Sequence, residues 1–277
     1  MLIKSISIKE GLTEQHQYAL IRSITDPMSM KLNERKLLFE AIELLRCSYV
    51  RFNNQNISFT SFFNKFIGIT FTNKFIETII DTEDIIRTGR ILKKKVLAAI
   101  RTKFIIEKWY RKDLPESRFL ILFCLYWWNA MAIGYIFEIE VFRNLQHSDI
   151  KFKPHDLLNE SERYSFADLT LSEMNGDIKS SAYFLTLIQS AKLAHDFYIT
   201  RYYDKTAAKY HWFVISSSQH WKKIDGEANL IAFPNWPTDF LKPAKFEFKN
   251  DWWYAVSYDV WKNKIRSYQQ RSNRDET

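Results

Sequence analysis

The chain has 277 residues, 46% of them hydrophobic, enough to build one large domain or two small ones around a proper core. Six glycines and six prolines leave little room for flexible linkers, and two cysteines, Cys47 and Cys124, exclude a disulfide framework and a cysteine-based zinc site. A formal net charge of +8 points toward a polyanionic partner, and the missing apolar leader core gives a cytoplasmic expectation.

In chain order, Leu2 to Ile8 reads as a short strand. Residues 33–50 have strong helical periodicity, with Asn33 as N-cap. Two short aromatic-rich helices are predicted at Ser58 to Phe66 and Thr72 to Ile80. Thr82-Glu83-Asp84 then opens a basic helix. Between residues 87 and 118 eleven Lys and Arg stand against Glu107, Asp113 and Glu116, so this one segment holds the whole excess of charge. Leu92, Val96, Ala99, Ile100 and Ile105 give it an apolar side, and Arg90, Lys93, Lys94, Lys95, Arg101 and Lys103 are the predicted contacts to a phosphate backbone. Pro115 marks a break, so residues 1–118 read as a helical, nucleic-acid-contacting module.

Phe119 to Phe137 has nineteen residues and one plainly polar side chain, Asn129, a length that can span a bilayer. Tyr126, Trp127 and Trp128 cluster at its middle rather than at two interfaces, which favours a buried helix running on to Glu138. Between residues 134 and 145, Gly134, Val141 and Leu145 share one face with Phe137 and Phe142 on its flanks, and Glu138 falls inside that apolar face. A carboxylate there needs a partner: an arginine such as Arg143 or Arg163, or a metal patch.

Next come Phe166-Ala167-Asp168-Leu169-Thr170-Leu171 and, after Asn175-Gly176, the run Asp177-Ile178-Lys179. Asn-Gly is a strong hairpin signal, so the turn is predicted at Asn175-Gly176, with Asp168 folded back toward Asp177. Side-chain alternation puts Asp177 and Lys179 on one side of their strand. Two carboxylates and an ammonium then converge on one patch, a suitable setting for a divalent cation acting on a phosphodiester. Residues 182–194 read as a helix, and 196–203 and 210–216 as strands. The six histidines lack metal-protease spacing; His147 and His155 border the proposed patch and are outer candidates. Beyond residue 218 the chain turns loop-like, then aromatic and basic from Trp252 to Arg271.

The order helix, strand, hairpin, strand, helix, strand, strand, with Glu138, Asp168 and Asp177-Ile178-Lys179 at its key points, resembles the PD-(D/E)XK nuclease superfamily. The resemblance covers roughly residues 130–218, and Gly134-x-x-x-Glu138 is similar to the leading helix of resolvase-type and Mrr-type members. Ala167 stands where the family commonly has proline, and the second acidic residue is Asp rather than the commoner Glu. The resemblance implies an α+β or α/β fold: a restriction-endonuclease-like core (119–225) with a mixed central sheet flanked by helices, the helical module in front, and an extension (226–277) packed on the core. It implies a Mg²⁺-dependent endonuclease, with Mn²⁺ as an alternative ion, acting in defence or in a mobile element. Asp168, Asp177 and the Ile178 carbonyl are then the metal ligands, Lys179 works on the attacking water or the developing charge, and Glu138 is an outer ligand or orients Lys179. DNA is favoured over RNA as partner; a homodimer or larger nucleoprotein assembly is compatible. The alternatives are a non-catalytic nucleic-acid-binding protein of the same fold, and a membrane-associated protein using residues 87–137 as basic flank and span.

Overall fold

The computed structural model describes residues 3–181, 193–204, 206–226, 245–248 and 251–275. The fold is mixed α+β, and the chain divides into two compact units, Met1–Ile136 and Phe137–Thr277. The division falls inside one long helix rather than ahead of it at residue 118.

The first unit is helical around a small sheet. Strand β1 (Ile3–Ser7) pairs antiparallel with β2 (Tyr49–Phe52), and β2 with β3 (Gln55–Ser58). Helices α1 (Glu14–Thr25) and α2 (Leu32–Arg46) lie between β1 and β2 in the chain. The region expected to hold two aromatic helices is α3 (Phe59–Phe63) and α4 (Ile69–Ile80), joined without a break by a π turn at Asn64–Gly68. Its phenylalanines are there for packing: Phe62 lies edge-on to Trp109 at 4.9 Å, Phe75 to Trp128 at 5.2 Å, and Phe59 to Phe123 at 5.7 Å.

Helix α5 (Ile85–Ile106) is the basic helix, and the Asp84 side chain caps it by accepting from the Arg87 N–H at 2.9 Å. Its buried side is rotated from the expected one. Ile85, Gly89, Leu97, Ile100 and Phe104 are buried, while Ala99 and Ile105 are exposed. The rotation follows from a close approach: a Cβ on Gly89 would stand 2.6 Å from Ile136 Cγ1, so the glycine lets α5 lie against α6. Helix α6 (Ser117–His147) is long and apolar enough to cross a membrane, and half of its most apolar stretch is buried in protein. Its residues 136–139 are all buried, which a helix that is apolar on nearly every side requires.

The second unit is built on a seven-stranded sheet in the order β4-β5-β6-β7-β8-β10-β9, where β4 is Lys153–Pro154, β5 Leu169–Leu171, β6 Met174–Lys179, β7 Phe197–Asp204, β8 Lys209–Ser217, β9 Lys245–Phe248 and β10 Asp251–Ser257. Only β6 and β7 pair in parallel; the other neighbours in the sheet are antiparallel. The helix expected at 182–194 falls mostly at 182–192, outside the described residues. Helix α7 (Ser218–Lys223) follows β8, and α8 (Tyr258–Asp275) follows β10. The C-terminal extension therefore enters the sheet, since β10 pairs along β8 from Trp253 to Ser257.

The β5–β6 turn is not at Asn175-Gly176. Leu171 pairs with Met174, so the two loop residues are Ser172 and Glu173, at φ of 47° and 65°. Both positive angles belong to a primed two-residue turn, carried here without glycine. Gly176 lies within β6, and its reason is contact: a Cβ there would overlap the ring of Phe197 on the neighbouring strand. Phe197 in turn stacks on His220 at 4.8 Å and lies 5.2 Å from Trp261.

His220 is locked in this core. It accepts from the Trp261 indole at 2.9 Å through Nε2, and its other nitrogen faces the Met174 sulfur at 2.8 Å. Burial first, then the charge of Lys223, pushes its pKa down to about 3 from 6.5. The unfolded chain therefore takes up a proton that the folded state refuses, and stability falls as pH drops below about 6.5. Urea unfolding at pH 7.5 and 5.0 should show a loss on the order of 2 kcal/mol from this residue, and His220→Gln should remove that part of the slope.

Candidate metal centre

Three adjacent strands deliver three side chains in one row. Continuing the β4–β5 register places His155 opposite Asp168, with the His155 N–H donating to the Asp168 carbonyl at 2.9 Å. Continuing β5–β6 places Asp168 opposite Asp177, with the Asp168 N–H donating to the Gly176 carbonyl at 3.0 Å. A turn at Asn175-Gly176 would have shifted this pairing by several residues; the Ser172-Glu173 turn makes it. Glu138 reaches the row from α6. It is 7% exposed and hydrogen-bonded to His155 Nε2, in place of the arginines expected as its partners.

One ligand atom each from Glu138, His155 and Asp168 lies within 4.8 Å of the others, so these three can hold a metal ion. Asp177 and Lys179 complete the patch: Lys179 Nζ donates to the two Asp177 oxygens at 2.8 and 2.7 Å. The backbone at Ile178, whose carbonyl was the expected further ligand, is tied to Asp168 by an N–H bond to Oδ2 of 2.7 Å. His147 is exposed at the end of α6, away from any such role.

The electrostatics are those of an acid cluster short of cations. Burial, then the charge of Glu138 and the hydrogen bond and charge of Asp177, pushes the Asp168 pKa up to about 9. Burial also works against charge on Asp177, but the Asp168 hydrogen bond and the Lys179 ammonium outweigh it and hold Asp177 low. Burial raises Glu138. Burial opposes charge on His155 and Lys179 too, yet their carboxylate partners win and both are raised. Lys179 is therefore a charged donor rather than a resting base.

Arg201, on β7, holds the two sides of this patch together. Its guanidinium bonds Glu140 at 3.1 Å and the Ser180 carbonyl at 3.3 Å, and lies over the rings of Phe137 and Tyr210 at 4.2 and 4.5 Å. Glu140 is two residues from Glu138, and Ser180 follows Lys179. Glu140 is thus a structural anchor.

The basic residues lie in the first unit. Arg90, Lys94, Lys95 and Arg101 are exposed, while Lys93 and Lys103 are half-buried. Burial, then Arg90 and Lys94, lowers the Lys93 pKa. Lys103 lies over the Trp109 ring at 5.8 Å.

Of the two histidines of the site, the sequence pattern ranks one low and misses the other. His155 was only an outer candidate, because a two-residue strand carries no periodicity. His195 stands with its Nδ1 3.9 Å from Asp177 Oδ2, placed there by a loop that no pattern announces.

The mixed nitrogen and oxygen donor set suits Mn²⁺ as well as Mg²⁺. A metal ion takes its carboxylates deprotonated, so binding here should displace the proton that Asp168 holds. Calorimetry with Mn²⁺ in buffers of different ionisation heats should detect proton release, with affinity rising from pH 6 to 8. His155→Ala should weaken Mn²⁺ binding about 10- to 100-fold and Mg²⁺ binding less.

No protein-family model, no curated protein and no solved structure matches this chain.

Proposed function

We propose that the protein is a metal-dependent nuclease with a restriction-endonuclease-like core in its second unit. The observation that supports this reading is the convergence of Glu138, His155, Asp168, Asp177 and Lys179 on one patch at the β5–β6 end of a mixed sheet. Burying several carboxylates without matching cations costs stability, and a site that binds a cation offsets that cost. A bound divalent ion supplies Lewis acidity toward a phosphate oxygen and lowers the pKa of a bound water. Glu138, His155, Asp168 and Asp177 would hold it. Lys179, kept protonated by Asp177, would donate to the charge that grows on the phosphoryl oxygens. The exposed cations of α5 would bind the phosphate backbone without reading sequence, and DNA is the favoured polymer.

Lys179→Ala should abolish Mn²⁺- or Mg²⁺-dependent cleavage of whichever DNA the wild type cuts, single-stranded, gapped or duplex, while leaving the thermal melt and DNA affinity nearly unchanged, because its work is felt in the transition state. Undiminished cleavage would remove Lys179 from the mechanism. A wild type that binds DNA but cuts neither DNA nor RNA with either ion would leave a non-catalytic binding protein.

Replacing Lys94, Lys95 and Arg101 together with Gln should weaken binding to DNA of any sequence and flatten the salt dependence by roughly one unit of slope per lost phosphate contact. Titrations at several salt concentrations measure this directly; an unchanged slope would assign the segment to another partner.

A further inference from the structure

An aromatic platform stands at the edge of the metal patch. Phe166 is 64% exposed, two residues ahead of Asp168. Its ring stacks on the His195 imidazole, with centroids 4.6 Å apart and planes 27° from parallel. His195 is not free to turn. Its Nε2 bonds the Phe166 carbonyl, and its Nδ1 faces the Tyr198 hydroxyl at 3.1 Å. That hydroxyl accepts from the Ala194 N–H at 2.7 Å. The imidazole backs the phenyl ring, and the carbonyl bond fixes the loop that presents it. Its Nδ1 also lies 3.9 Å from Asp177.

An exposed phenylalanine alone is unremarkable. This one is held at a fixed angle, with one face covered by a pinned imidazole, next to the carboxylates of the proposed reaction centre. Such a surface matches a planar partner. A polyanion whose phosphate lies on the metal patch carries planar bases within a few ångströms of that phosphate. A paired base hides its faces in the duplex stack, so only an unpaired base can use the platform.

We propose that the Phe166–His195 stack binds an unpaired nucleobase beside the phosphate held at the metal patch, so that the substrate is a single strand or the frayed end or gap of a duplex. This rests on the nuclease reading and adds the substrate class to it. Stacking of a base on an aromatic side chain is sequence-tolerant because every base has a π-face, so no base preference is expected from this contact.

The test uses the full chain with Ca²⁺ replacing the catalytic ion, and oligonucleotides carrying one 2-aminopurine, single-stranded or fully paired. The wild type should bind the single strand more tightly than the duplex and quench the probe's fluorescence. Phe166→Ala should weaken single-strand binding about 5- to 150-fold, with little change for blunt duplex and an unchanged melting temperature. Phe166→Trp should retain binding and quenching, which separates stacking from a general loop defect. Equal affinities of wild type and Phe166→Ala for the single strand, or equal losses on single strand and duplex, would overturn the platform while leaving the nuclease reading standing. Failure of the wild type to bind either nucleic acid would overturn both.

Discussion

The register of three strands is the constraint on which the proposed site depends. Side chains alternate along a strand, so a slip of one residue at the Ser172-Glu173 turn would send Asp168 or Asp177 to the opposite face. The short β4 pairing sets His155 in the same row, and the backbone bonds of His155 and Asp168 hold that row within the sheet. Gly176 contributes by being small. It lets Phe197 close against β6, and Phe197 ties the strand to the His220–Trp261 core. The candidate metal patch is thus positioned from behind by packing and from the side by hydrogen bonds.

Like charges crowd the patch. Three carboxylates meet Lys179, His155 and His195, and the raised pKa of Asp168 relieves their repulsion by keeping that carboxyl protonated. A divalent cation can replace that proton and relax the repulsion. Arg201 cannot do so, since its charge is spent on Glu140 and on two aromatic faces. Its part is to keep α6 and the end of β6 at a fixed separation, so that Glu138 and Lys179 face a common space.

Much of this layout was legible from residue pattern. Strands β7 and β8, the basic helix and the burial of Glu138 follow from periodicity and from the cost of a charge on an apolar face. The Asp177–Lys179 contact follows from alternation. The turn was misplaced because Asn-Gly is the stronger local signal, while Ser-Glu carries positive φ only under the pull of strand pairing. The apolar face of α5 was misjudged because Gly89 reads as a helix weakener, not as the contact point it is. His155, His195 and Arg201 were hidden because their roles come from residues distant in sequence, which no short window contains.

The place of β10 in the sheet has a consequence for how the protein is made. Strand β8 is synthesised well before β10, yet β10 is its partner from Phe213 to Ser217. Before β10 is made, that stretch, Phe-Val-Ile-Ser-Ser, lacks the strand it pairs with in the folded sheet. Open edges of this kind recruit foreign strands. Until Trp253 to Ser257 clear the ribosome, the β8 edge from Phe213 to Ser217 is therefore open to foreign strands, and chaperone demand should be highest in that interval.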